Sequence, residues 1–150
     1  MNNDSFTLPP GSDDSSFADH LIQLSYTIQS VLIEIGSAHD LSLIQVRLLG
    51  ILRDREPSMQ QLAAYLNLDK SSITGLIDRA QRRGFVERIA SAEDRRRFNV
   101  RLTSEGRQLA SDAGAVVVQR IEQLAASLSE KERAQLMHSA VKIQTQSFAE

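Results

Sequence analysis

A chain of 150 residues has room for one compact domain with an added interaction element, and not for more than two folded domains. At 41% apolar and 24% charged residues a packed core is expected. The absence of cysteine excludes disulfides, thiolate nucleophiles, cysteine zinc sites and thiol sensing. No run reaches the roughly 18 apolar residues of a membrane span, and the opening MNNDSFTLPPGSDD lacks both parts of a signal peptide, so a cytoplasmic protein with no membrane partner is expected.

The net charge of −2 hides an asymmetry. Between Lys70 and Arg107 stand ten basic residues, nine of them arginine, against five acidic ones, while the remainder of the chain is acidic. Scattered charges usually mark a solvated face. Arginines concentrated in one segment point instead to phosphate, whose oxygens match the planar guanidinium fork.

Residues 1–15 are polar and contain Pro9, Pro10 and Gly11, the composition of a flexible tail. Phe17, Leu21, Leu24, Ile28, Val31 and Ile35 are spaced four and three apart, which predicts a long amphipathic helix ending near Gly36. Ser42 with Gln45 forms a capping box, stapled by Leu41 and Val46, for a second helix reaching about Arg53. Ser58 with Gln61 repeats the box for a short third helix carrying Met59, Leu62, Ala63 and Leu66. After a break at Asn67, Leu68 and Asp69, the stripe Ile73, Leu76, Ile77 and Ala80 predicts a fourth helix stopped by Gly84.

Phe85 to Ala90 is short and β-prone, and Phe98, Val100 and Leu102 alternate with Asn99 and Arg101, which predicts a hairpin whose solvent-exposed loop runs from Ser91 to Arg97. Thr103 caps a long helix starting at Ser104, with Ala110, Gly114, Val117, Ile121, Leu124 and Leu128 on one stripe. Ser129 with Glu132 caps a last one bearing Leu136, Ala140 and Ile143, with Phe148 near its end. The fold class is therefore mainly α, an α+β winged helix in the order ααααββαα.

Two short helices on a tight turn, followed by an arginine-tipped hairpin, are the parts of a winged helix-turn-helix, whose second short helix, at 70–83, enters the major groove of DNA. With its apolar stripe inward, that helix leaves Lys70, Ser71, Ser72, Thr74, Gly75, Asp78 and Arg79 facing outward, a surface suited to bases and phosphates. Glycine inside a helix costs about 1 kcal/mol relative to alanine. Gly75 therefore implies a close approach, either by DNA or by a neighbouring side chain.

From Ser58 to Gly106 the chain resembles the MarR family of dimeric bacterial transcription regulators. The resemblance rests on MQQLAAYLNLDKSSITGLIDRAQRRGFVER for the reading unit and AEDRRRFNVRLTSEG for the wing and the entry to the next helix. The family's Asp-Arg-Arg wing pattern falls on Asp94, Arg95 and Arg96, and its Leu-Thr-x-x-Gly tail on Leu102, Thr103 and Gly106. The resemblance implies that Arg96 enters the minor groove and that Asp94 orients the wing through charge pairing; Arg95 and Arg97 are assigned to phosphates. It also implies a homodimer reading a pseudo-palindrome in double-stranded DNA as a repressor, with residues 16–40 and 104–150 as dimerisation region and 41–103 as the DNA-binding domain. The wing spans 90–97.

MarR-like proteins bind small aromatic or anionic effectors in a cleft between the dimer helices and the reading unit. Tyr26, His39 and Arg47 stand near that place by chain order, and partly exposed packing is the alternative reading of all three. His20, His39 and His138 are isolated and have no metal-ligand spacing, so no metal or cofactor is expected. No nucleophile with a base and no phosphate-binding glycine loop is present, so an enzyme is not expected. The competing reading is a winged helix that binds protein and never touches DNA.

Overall fold

The structure, a computed structural model, describes residues 16–147; the expected tail at 1–15 and Phe148 lie outside the described residues. The elements are α1 (Phe17–Ser37), α2 (Leu43–Leu52), α3 (Met59–Leu66), α4 (Lys70–Arg82), β1 (Val86–Ala90), β2 (Phe98–Leu102), α5 (Ser104–Leu124) and α6 (Glu130–Ser147). This is the winged-helix order read from the sequence.

Each helix starts where a side chain can accept from its unpaired amides. Ser42 with Gln45 and Ser58 with Gln61 form complete capping boxes, as does Ser16 with Asp19 at the head of α1. Asn67 closes α3 in the left-handed conformation at φ 53°, and two residues later Asp69 opens α4 by accepting from the Ser72 amide at 2.7 Å. At the far end of α4, Gly84 adopts φ 78°, and the Phe85 amide donates back to the Ala80 carbonyl at 3.0 Å. The turns on both sides of α4 are thus set by local chemistry.

The main core gathers Leu48, Leu62, Ile73, Leu76, Ile77, Val86, Val100 and Leu102, so α2, α3, α4 and the hairpin share one buried cluster. The strands pair antiparallel, with Val86 opposite Leu102 and Ala90 opposite Phe98. The other edge of β2 is also held, because the Val100 amide donates to the Pro57 carbonyl at 2.9 Å, just ahead of α3. Phe98 shares its strand face with Val100 and Leu102 yet is 51% exposed, because the hairpin has there run past the edge of the core.

A second, small cluster joins Val31 and Ile35 of α1 to Ala113 of α5, flanked by Val117 and Ile121. Beside it Arg120 and Glu34 pair in two bonds of 3.0 and 2.9 Å. The expected α1 stripe therefore splits: its C-terminal part is buried, whereas Phe17, Leu21 and Leu24 are exposed. No described side chain of α6 is buried, and Leu136, Met137, Val141 and Ile143 all face outward.

Helix α1 ends near Gly36 as expected, and one boundary, the end of α5, differs from the sequence reading. Helix α1 continues through Gly36 to Ser37; the glycine is buried in the last turn, where a Cβ would stand 2.7 Å from the Leu41 carbonyl oxygen. Leu128 falls outside α5, which ends at Leu124. The α5 end is held from α6 by Arg133, which pairs with the Glu122 carboxylate and donates to the Ala125 carbonyl at 3.1 Å.

Candidate nucleic-acid interface

Helix α4 buries Ile73, Leu76, Ile77 and Ala80 and so presents its opposite face outward. Lys70, Ser71, Ser72, Thr74 and Arg79 are exposed there, with Gly75 and Asp78 half-buried. Asp69 caps this helix, and its bonds from Ser72 hold its carboxyl below the ordinary aspartate range. The Thr74 hydroxyl donates to the Lys70 carbonyl at 2.8 Å, so its proton is committed within the helix. At Gly75 an added Cβ would meet only the Arg79 guanidinium, 3.2 Å away. The outward backbone at Gly75 is consequently covered by one flexible side chain and nothing else among the described residues.

Asp78 has a different surrounding from the one the helix pattern suggested. Its carboxylate takes Arg88 of β1 at 2.6 Å, and Arg88 also donates to Gln81, so the trio pins the reading helix to the hairpin. Arg83 donates to the carbonyls of Asp40 and His39 and stacks over the Phe85 ring, tying the end of α4 to the α1–α2 connection. Arg101 pairs across the hairpin with Glu87 at 2.7 Å. These three arginines of the basic segment brace the fold.

The wing loop is closed by its own backbone, with the Ser91 amide donating to the Arg97 carbonyl at 3.0 Å and the Arg97 amide to the Asp94 carbonyl at 2.9 Å. One carboxylate oxygen of Asp94 accepts from the Arg96 amide at 3.0 Å, and the other lies 3.5 Å from Arg97 Nε. Asp94 thus fixes the turn and pairs with Arg97. The side chains of Arg95 and Arg96 are exposed and carry no hydrogen bond or ion pair among the described residues.

Between α3, α4 and the wing lies an open cleft of about 540 Å³. Lys70, Thr74, Arg96 and Arg97 stand along it, and Met59, Ile73 and Phe98 give it an apolar floor. A second cleft, of about 210 Å³, lies between α1, α2 and α5 and is almost wholly apolar, with Arg47 and Arg53 among its lining. Of the three suggested effector residues it includes Arg47. Tyr26 is exposed on α1, and His39 sits in the connection where Arg83 takes its carbonyl.

Sequence reasoning missed Asp69 as a cap, although its place three residues ahead of the Ser72 amide is a capping signal. For Arg88, which reaches Asp78 ten residues back, no local spacing exists that would have marked it.

The sequence pattern of the MarR family matches residues 39–97. The homoprotocatechuate degradative operon repressor of Escherichia coli is 30% identical over 120 residues, covering 79% of this chain and 80% of that protein. The chain belongs to the MarR family.

The transcriptional repressor YetL of Bacillus subtilis is 42% identical over 55 residues, a match to 37% of this MarR-family chain that spans a third of YetL's own length. NadR in complex with 4-hydroxyphenylacetate superposes at a TM-score of 0.76 and 24% identity, covering 91% of this chain and 97% of NadR. The Staphylococcus aureus MepR–DNA complex superposes at 0.74 and 20% identity, covering 89% and 99%. At these identities the likeness is one of fold, and the chain is a MarR-type transcription regulator on the strength of its sequence relatives.

The family's Leu-Thr-x-x-Gly tail has a physical reason in this MarR member. Leu102 is buried in the core. Thr103 accepts from the Gly106 amide at 3.0 Å to start α5 and donates to the Gly84 carbonyl. Gly106 passes so close to the hairpin entry that a Cβ there would lie 1.9 Å from the Phe85 carbonyl oxygen. No helix among the described residues is long and apolar enough to cross a membrane.

Proposed function

We propose that this MarR-type regulator is a homodimer that represses transcription by binding a pseudo-palindromic site in double-stranded DNA. Each protomer lays the outward face of α4 in the major groove and reaches the adjacent minor groove with Arg96. The observation that carries this reading is the wing: a hairpin whose β2 edge is held to the Pro57 carbonyl, with a turn fixed by Asp94, holds at its tip two exposed guanidinium groups without a partner among the described residues. A narrow minor groove concentrates negative potential and attracts such a group. Lys70 and Arg97, which stand along the cleft beside it, are assigned to phosphates, as is Arg95. Ser71, Ser72, Thr74, Gly75 and Arg79 are assigned to the groove face, and Asp78 to the positioning of α4.

Dimerisation is assigned to the helices at 16–40 and 104–150, where apolar side chains such as Phe17, Leu24, Leu136 and Met137 are exposed in the single chain, and DNA binding to 41–103. Two-fold symmetry then places the half-sites about one helical turn apart, on the order of 10 base pairs. The reading requires a cytoplasmic protein without catalytic activity or cofactor. The apolar cleft between α1, α2 and α5, with Arg47 and Arg53, suits a small aromatic anion as effector. NadR, which shares the fold, was captured with 4-hydroxyphenylacetate.

A winged helix serving only as a protein-docking module has no need of unpartnered arginines at its wing tip. Footprinting on duplexes enriched from a random library, with affinity followed against salt, tests the assignment. A protected site with two half-sites and a steep fall in affinity with salt is expected, because phosphate contacts release counterions. A shallow salt dependence with no protected site would leave the protein-docking reading standing.

A further inference from the structure

Phe98 is out of place for a structural phenylalanine. It follows directly after the run Arg95, Arg96 and Arg97 and is 51% exposed, so about half of its surface stands open to solvent. Its station is nevertheless rigid. Phe98 pairs with Ala90 across the hairpin, and two residues on, the Val100 amide is bonded to the Pro57 carbonyl, so its backbone is held between the wing and the head of α3. It floors the open cleft between α3, α4 and the wing together with Met59 and Ile73, while Lys70, Arg96 and Arg97 stand along the same cleft.

Cations beside an apolar floor describe a particular kind of occupant. A purely phosphate-binding groove gains nothing from a phenyl ring, and a purely apolar partner is ill matched to three cations. A DNA strand carries both surfaces, with charged phosphates on its outer side and the carbon-rich face of deoxyribose between them. The location agrees with this. If α4 lies in the major groove and the wing in the adjacent minor groove, the backbone strand separating those grooves has to pass between α4 and the wing, which is where the cleft opens.

We propose that Phe98 packs against the deoxyribose of that strand, so that the cleft grips one sugar–phosphate backbone through cations at its sides and an apolar floor beneath. This rests on the DNA-binding reading given above and adds to it a residue whose contribution is independent of charge. The ring sets the depth at which the strand seats and therefore the reach of Arg96 beyond it. Its effect on affinity comes from removing apolar surface from water, a term that salt does not screen.

The experiment uses the full-length protein and a duplex of about 30 base pairs enriched from a random library on the wild type, long enough for two half-sites one turn apart. Affinity is measured across a salt series for wild type, Phe98→Ala and Phe98→Leu, with hydroxyl-radical footprints of each complex and thermal melting of each free protein. Phe98→Ala is expected to lose about tenfold in affinity at every salt concentration with the slope of log K against log salt unchanged, since no phosphate contact is removed. Phe98→Leu, which keeps an apolar floor, is expected within about twofold of wild type. Sugars of the strand between the two grooves are expected to be protected in the wild-type footprint.

Wild-type affinity for Phe98→Ala, or a loss accompanied by a shallower salt slope, would overturn the proposal. If the alanine variant melts early, the footprint of the wild-type complex decides alone, and reactive sugars on that strand would overturn it equally. A wild type with no footprint and no salt dependence would remove the DNA-binding reading itself, an outcome distinct from a normal wild type with an indifferent Phe98.

Discussion

The reading unit and the outer helices handle apolar surface in opposite ways. In the unit from α2 to β2, large apolar side chains such as Leu62, Ile77 and Val100 are wholly buried, and both turns around α4 are closed by local caps. In α6 and the first half of α1 comparable side chains stand in water: Phe17 is 76% exposed and Met137 67%. A helix with an apolar face and no partner is unstable in isolation, since most helical stability comes from packing that face. The first region is complete within one chain, and the second leaves apolar faces open in the single chain, where the proposed dimer would close. The difference separates surface satisfied inside the protomer from surface left open on it.

The strongest way to break the reading unit is Gly106→Ala. The new methyl would meet the Phe85 carbonyl, a backbone atom that cannot swing aside, so α5 or the hairpin entry has to move. A loss of about 2 to 3 kcal/mol in denaturant unfolding is expected. An unfolding curve like wild type would show that the approach of α5 to the hairpin is looser than described.

Val141→Glu probes the outer region. Val141 is exposed on α6 and touches no core, so the folded protomer should be unaffected while a buried interfacial carboxylate opposes association. Sedimentation at micromolar concentration is expected to find a dimer for wild type and a monomer for the variant. A monomeric wild type would end the argument that the exposed faces are reserved for a second copy.

These two regions were not equally legible in the sequence. Caps are written over three or four residues, so Ser42 with Gln45, Ser58 with Gln61 and Ser129 with Glu132 located three helix starts, and the period of Ile73, Leu76, Ile77 and Ala80 gave the inward face of α4. What stayed hidden depends on partners far along the chain. Arg120 meets Glu34 across 86 positions, and Arg83 reaches Asp40 across 43, pairings that no periodicity records. The outward set on α4 was legible from its stripe, but the engagement of Asp78 by Arg88 required the fold of the hairpin onto the helix. The α1 stripe looked uniform in sequence and is divided in the fold, because α5 covers only its second half.

Gly75→Ala sharpens the contrast within the reading unit itself. The added methyl meets only the mobile end of Arg79, and alanine is the better helix former, so the free protein should gain up to about 1 kcal/mol in stability. If that backbone lies against DNA, affinity should fall in the same variant. A more stable protein with unchanged DNA affinity would assign Gly75 no part in the interface.

Acid should fray both regions at their helix ends. Asp69 at α4, Asp19 at α1 and Glu132 at α6 have carboxyl groups held below their ordinary ranges, Asp69 chiefly by its bond from the Ser72 backbone, Asp19 by the Ser16 side chain and Glu132 by the Ser129 backbone. A lowered carboxyl pKa in the folded chain contributes stability that is complete above the unfolded value and lost as pH falls through the folded one. The melting temperature should therefore drop as pH descends below about 4, the unperturbed carboxylate range, and Asp69→Asn should remove part of that dependence. An identical pH profile for the variant would show that the α4 cap carries none of it.

If a braced wing delivers Arg96 to the minor groove, the affinity of Arg96→Ala for the enriched duplex must fall. A loss on the order of 1 to 3 kcal/mol per site is expected, concentrated on A·T-rich flanks, with the circular dichroism of the free protein unchanged. Binding of that duplex by Arg96→Ala with wild-type affinity would contradict it.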